Sequence, residues 1–192
     1  MASRVYFCFH YDDVATFRAN VVRKHDLTKE TGEAGFFDAS IWENAELHGP
    51  GAVKRLIDSY LENTSVTCAL IGSETWKRRY VRYEILKSYD RGNKLFGVHI
   101  NSVSDKNKQT FAQGLNPFAY LGFFISENGK ELTYYEHDGT EWKKYQDLPP
   151  KSTSFESKWC GKGYQLSDWV PTYDWTAGNG YKNFATWVDN AK

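Results

Sequence analysis

Methionine occurs once, proline five times and cysteine three times in the 192 residues, and each scarcity narrows the fold. Three cysteines, an odd number scattered to positions 8, 68 and 160, make no dense disulfide framework, and two of them fall in apolar strand-like runs where a reduced thiol acts as a small hydrophobe. Neither a disulfide nor a metal is expected, because the one close pair, Cys8-x-His10, falls short of the ligand number that a zinc site needs. No run approaches the ~20 apolar residues of a membrane span. The opening Met1-Ala2-Ser3-Arg4 also lacks the long apolar stretch of a signal peptide, so a cytoplasmic protein without a membrane partner is expected. Charge of one sign is missing too: 24 Lys/Arg face 24 Asp/Glu, evenly along the chain, which leaves no basic stripe for a phosphate backbone and argues against nucleic acid.

Aliphatic residues are the remaining scarcity, since 29 Ile, Leu and Val are outnumbered by 32 Phe, Tyr and Trp. Zero net charge and the large burial area of the aromatic rings nevertheless point to a folded chain rather than a disordered one. The imbalance is uneven. Residues 1–100 hold 20 of the aliphatics and 14 of the aromatics, and residues 101–192 hold 9 and 18, so the two halves are packed from different stock.

Along the first half, apolar strand-like runs alternate with helical periodicity. Residues 4–10 read as a buried strand, Val14, Phe17, Val21 and Val22 as a helix, and Gly35-Phe36-Phe37-Asp38 as a short second strand. Residues 39–51, with Trp42 and Gly49-Pro50-Gly51, read as an exposed loop long enough to close over a ligand. Val53 to Leu61 is helical, 66–71 a central strand, 80–89 helical and 95–100 a fourth strand. This alternation predicts an α/β fold with a parallel sheet flanked by helices, whose ligands bind at the carboxyl ends of the strands. Beyond residue 100 the rhythm changes. Asn128-Gly129 and Asp138-Gly139 separate three short β runs and predict a meander, residues 151–177 read as irregular, and Tyr181, Phe184, Trp187 and Val188 mark a closing helix. The expected division is residues 1–122 for the α/β domain and 123–192 for an aromatic-rich β/irregular elaboration packed on it.

Several chemistries are absent from the motif inventory. There is no Gly-x-x-x-x-Gly-Lys-Ser/Thr loop and no Gly-x-Ser-x-Gly elbow. Asp12-Asp13 suggests the acidic pair of a phosphoacceptor domain, but the central strand ends in Gly72-Ser73 where such a domain needs its Asp. The histidines at 25, 48, 99 and 137 show neither metal spacing nor a nucleophile partner. What remains is Glu84, whose spacing alone makes it a solvated partner of Lys87. Around it, Lys77, Arg78, Arg79 and Arg82 form a basic cluster that suits a solvated or interfacial face better than a pyrophosphate.

The segment from Ser73 through Tyr80-x-x-x-Glu84-Ile85 resembles the third box of TIR domains, usually Trp-Cys-x-x-Glu-Leu, and the opening Val5 to Asp13 resembles the first box, with Cys8 at its Ser. A closer resemblance, along nearly the whole chain, is to the TIR-like B component of the bacterial Thoeris anti-phage system. It is carried by Phe7-x-Phe9-His10-Tyr11-x-Asp13-Val14, Phe37-Asp38-Ala39-Ser40-x-Trp42-Glu43, Asn63-Thr64-Ser65-Val66-Thr67-Cys68, Arg79-x-Val81-Arg82-Tyr83-Glu84 and Asn116-Pro117-Phe118-x-Tyr120-Leu121-Gly122.

The resemblance implies a flavodoxin-like TIR domain that cleaves NAD at the nicotinamide–ribose bond and cyclises it to a cyclic ADP-ribose isomer. That product would act as a diffusible signal to a Sir2-type NADase effector, in response to a phage-derived trigger. Glu84 is then the catalytic carboxylate, Phe9, His10, Tyr11, Asp38, Trp42 and Tyr80 are substrate-binding candidates, NAD is a substrate, and no cofactor is needed. Tyr80 and Val81 depart from the usual Trp and Cys and change the pocket lining. The family also implies TIR–TIR self-association, and the aromatic surplus of the second half makes the Trp/Tyr-rich stretch from Trp142 to Trp175 the candidate face for a trigger or second subunit, with most of its rings serving an ordinary core. The rival reading is a catalytically silent TIR-like scaffold that works by protein–protein contact.

Overall fold

In the computed structural model, which describes residues 4–10, 13, 18–23 and 39–192, the apolar run at the start forms strand β1 (Val5–Cys8), buried at every position. Helix α1 (Arg18–Arg23) follows, then α2 (Ala39–Leu47), α3 (Pro50–Leu61), β2 (Val66–Ile71), α4 (Arg79–Arg91) and β3 (Lys94–His99). Strand β2 lies between β1 and β3, parallel to both, with Val5 opposite Val66 and Val66 opposite Lys94. Both faces of this sheet are covered. Tyr6 and Cys8 face α3 and α4, whereas Val5 and Phe7 face α1 and the closing helix α5 (Gly180–Asp189).

The second half supplies an antiparallel sheet in the order β6 (Trp142–Lys144), β5 (Glu131–His137), β4 (Leu121–Ile125), β8 (Lys162–Gln165), with β7 (Lys151–Ser152) also paired to β5. The expected meander is present. Asn128-Gly129 and Asp138-Gly139 make its two turns, with Gly129 at φ 70 and Gly139 at φ 108. This sheet packs on the outer side of α4, so the helix is held between two sheets: Tyr89 stacks on Phe123 at 5.2 Å and the Tyr134 hydroxyl donates to Asp90 at 2.8 Å.

Two expectations are corrected. Residues 39–51 are not an open loop. Ser-Ile-Trp-Glu-Asn-Ala-Glu-Leu is made of adequate helix formers, and the Gly-Pro-Gly is only a corner, with Gly49 at φ 85 and Pro50 in the first turn of α3, where its missing N–H costs nothing. The stretch 151–177 is less irregular than its pattern, since β8 pairs with β4 and β9 (Thr172–Asp174) pairs in parallel with β3. Strand β8, Lys-Gly-Tyr-Gln, shows no apolar alternation, and β9 is too short to show a period. Its place is set by tertiary contact instead, Tyr173 stacking on Trp187 at 4.6 Å. The strand expected at 35–38 and the helix positions Val14 and Phe17 lie outside the described residues.

Helix α5 and β9 therefore complete the parallel sheet from the far end of the chain. Phe184 lies between Phe7 at 5.9 Å, Phe96 at 5.8 Å and Trp175 at 6.0 Å. Lys192 and Leu95 exchange two backbone hydrogen bonds of 2.6 and 3.1 Å beside it. Replacing Phe184 by Ala should cost about 3–5 kcal/mol in chemical denaturation, whereas Tyr181→Ala, at a ring 63% exposed, should cost under about 1 kcal/mol. Similar losses for both would contradict this docking of α5.

Candidate active site

Alternation along β1 directs Tyr6 and Cys8 to one face and Val5 and Phe7 to the other. Opposite the first pair runs α4, which ends at Gly92 in the left-handed conformation and whose buried face carries Val81, Glu84, Ile85 and Ser88. Glu84 is 3% exposed, and its carboxyl Oε1 accepts a hydrogen bond from the Tyr6 hydroxyl. The solvated pairing with Lys87 suggested by spacing is thus overturned by burial.

Burial governs the electrostatics of this pair. It pushes the Glu84 carboxyl up to about 8, against the opposing pull of the Tyr6 hydrogen bond. Burial, then the neighbouring Glu84 charge, pushes the Tyr6 hydroxyl well above its ordinary value, and the same two causes raise the Cys8 thiol. Tyr6 therefore remains a neutral donor. Cys8 remains a thiol, not a nucleophilic thiolate.

The other candidates divide around this centre. Tyr80 lies one turn before Glu84, half-buried, and meets Trp42 of α2 edge to face at 5.4 Å, so α2, α4 and Glu84 share one side of the sheet. His10 follows Tyr6 and Cys8 in alternation, half-buried past the strand end, where its charge reaches the Glu74 carboxylate. Phe9 packs in the cluster on the opposite face and is not brought to Glu84. Tyr11 and Asp38 lie outside the described residues.

The basic cluster is largely paired: Lys77 with Glu74, Arg79 with Asp147 at 3.2 Å and Arg82 with Glu136 at 2.7 Å. The first pair is local to the turn before α4, whereas Arg82–Glu136 ties α4 to β5 and Arg79–Asp147 ties it to the segment after β6. Asp13 of the acidic pair is buried at the end of β2 and accepts from the Thr75 hydroxyl at 3.3 Å, while Thr75 Oγ1 accepts from the Gly72 N–H at 2.9 Å. A Cβ on Gly72 would come within 2.2 Å of the Asp13 carboxylate, so that close approach requires glycine. Arg18 clamps the 101–113 segment, donating to the carbonyls of Val103 at 2.9 Å and Gln109 at 3.1 Å and lying over the Phe111 ring at 3.9 Å. Among the described residues no group of three or more His, Cys, Asp or Glu side chains is placed to hold a metal, and no helix is long and apolar enough to cross a membrane.

Tyr6 was the partner hidden in the sequence, where it looked like one apolar strand residue among several. Its signal was the period of two that aligns it with Cys8 and His10 toward the helix bearing Glu84.

A parallel sheet sandwiched by helices, with a buried carboxyl on the helix after the central strand, defines a TIR-like domain. In agreement, the family model described as "Thoeris protein ThsB, TIR-like domain" matches residues 6–105. A protein of Bacillus cereus (strain MSX-D12) named "Putative cyclic ADP-D-ribose synthase ThsB1" is 50% identical over 192 residues, covering 98% of this chain and 100% of that relative. The chain belongs to the Thoeris ThsB family.

The raised Glu84 carboxyl makes folding pH-dependent with a definite sign. Between its ordinary value of 4.5 and the folded value of about 8 the native state holds a proton that the unfolded chain has released. The stability contributed by that proton is fully present below 4.5 and is lost as pH rises through 8, a change on the order of 3–5 kcal/mol for a group this deeply buried. Glu84→Gln keeps an acceptor for Tyr6 and should flatten the slope measured by urea unfolding between pH 5 and 8. An unchanged slope would contradict the raised carboxyl.

Proposed function

We propose that this protein cleaves NAD at the nicotinamide–ribose bond and joins the ribose to the adenosine side of the same molecule, releasing a cyclic ADP-ribose isomer. The observation that carries the reading is the buried Glu84–Tyr6 pair on the TIR-like sheet, supported by membership of a family with a relative named for cyclic ADP-ribose synthesis.

The chemistry needs few groups. Nicotinamide in NAD carries positive charge, so the C1′–N bond can break with its electron pair passing to the ring, and neutral nicotinamide leaves without a general acid. The ribose is left oxocarbenium-like, and a carboxylate beside it lowers the barrier by opposing the developing charge. Glu84 fills that role in its ionised form. A positively charged nicotinamide ring beside a raised carboxyl favours loss of its proton, so binding itself shifts Glu84 toward the active state. An adenosine-side nucleophile then bonds to C1′ and releases one proton, while exclusion of water prevents hydrolysis.

With Glu84 3% exposed, substrate entry requires displacement of its cover, and α2 with the Trp42–Tyr80 contact is the element assigned to that movement. Tyr80, packed on the same cluster as Trp42, and His10 remain binding candidates with Tyr11 and Asp38, and Phe9 acts from the opposite face through packing. No cofactor enters the scheme. Residues 1–122 act as the TIR-like domain and 123–192 as the elaboration that secures α4 and the sheet edge. The diffusible product acting on a Sir2-type NADase, the phage-derived trigger, self-association and a cytoplasmic site of action complete the proposal, and rest on the family resemblance.

Incubation with NAD, alone and with phage-infected cell extract, should yield nicotinamide and a cyclic product by mass spectrometry. Glu84→Gln should lower the rate by about 10²–10³-fold. Equal turnover by both proteins would remove Glu84 from the mechanism, and no turnover under either condition would favour the silent scaffold.

A further inference from the structure

Between the start of α4 and the second sheet lies a cavity of about 300 Å³, lined by Lys77, Arg79, Arg82, Glu136, Tyr145 and Asp147. Its charges do not cancel. Lys77, Arg79, Arg82 and Lys54, which reaches Asp147 at 2.7 Å, stand against Glu136, Asp147 and the Glu74 that pairs with Lys77, four cations to three carboxylates, so positive charge is in surplus. The Arg82 guanidinium, 8% exposed, is fixed by donating to the Trp76 carbonyl at 3.0 Å and to Glu136 at 2.7 Å.

Tyr145 supplies an independent observation. It is 3% exposed, it is one of the residues lining the cavity, and its hydroxyl is buried with no hydrogen-bond partner among the described residues. Such a donor is costly to leave unused. The first turn of α4, which contributes Arg79 and Arg82, contains no acidic residue and has no side-chain cap, so the positive end of this thirteen-residue helix opens at the same place.

We propose that this cavity binds a phosphoryl group, either a phosphate monoester or a diphosphate, through Lys77, Arg79, Arg82 and the Tyr145 hydroxyl. Two guanidinium forks, an ammonium and a neutral hydroxyl present more donors than the two oxygens of a carboxylate accept, and they suit a tetrahedral anion. The anion displaces Asp147 from Arg79, and Lys54 keeps Asp147 compensated. The site is separate from the Glu84 centre: residues 82 and 84 point about 200° apart around a helix, one toward the second sheet and the other toward β1. A ligand there would brace the joint between the two sheets. The inference concerns binding only and stands whether or not the protein turns over NAD.

The test is calorimetric titration of the full chain with inorganic pyrophosphate and, separately, with ADP, at constant ionic strength. Lys77→Gln removes an exposed cation and Tyr145→Phe removes only the hydroxyl, so both spare the fold. Their melting temperatures check this. Saturable one-site binding, weakened at least tenfold in each variant and unchanged in Glu84→Gln, is expected. Equal affinity for the two ligands would identify the diphosphate alone as what is read, and tighter ADP binding would identify a nucleotide-borne one. Lack of saturable binding, binding indifferent to both variants, or loss of binding in Glu84→Gln would overturn the proposal.

Discussion

A carboxyl group removed from water and facing a tyrosine hydroxyl sets the terms for the rest of this molecule. Glu84 can remain in the core only because Tyr6 satisfies one of its oxygens and because burial favours its protonated form. That arrangement demands a helix packed on both of its broad faces. The parallel sheet covers one face of α4, and the antiparallel sheet covers the other through Tyr89–Phe123, Arg82–Glu136 and Tyr134–Asp90. The second sheet closes the outer face of the helix whose inner face carries Glu84.

This explains why the aromatic residues gather in the second half of the chain. A thin sheet with short strands has little room for an aliphatic interior, and large rings give more buried area per residue. Trp76, Tyr120, His137 and Trp142 form a run of ring contacts at 4.6, 5.7 and 5.3 Å that leads from the loop before α4 across the sheet. Tyr173 and Trp187 do the same for the edge strand β9. Most rings between 142 and 175 have this structural use, Tyr145 and Trp175 being buried, and Trp142, Phe155 and Trp159 are the large ones left exposed.

The alternation of β2, α4 and β3 was legible because each element is long enough to show its period and is bounded by turn residues. The meander was legible from two Asn/Asp-Gly pairs. Helix α2 was not, because Gly49-Pro50-Gly51 reads as a loop although it only joins two helices, and β9 was not, because three residues have no period and their pairing depends on α5. Glu84 was visible through a family resemblance, yet its burial was not: a helical Glu four residues from Tyr80 and three from Lys87 has the same spacing whether solvated or sealed. Tyr6, the residue that settles the matter, is 78 positions away and meets it only when β1 and α4 pack.

Catalysis by Glu84 depends on which of its two forms works. A carboxylate that opposes positive charge on ribose must be ionised, and burial holds the free group near 8. The most direct test is the pH dependence of kcat/KM for nicotinamide release by the wild-type protein between pH 6 and 9. Because kcat/KM reports the free enzyme, the account predicts a rate that climbs with pH along a single ionisation and levels off above about 8. A profile that is flat across this range, or one that falls as pH rises, would contradict it.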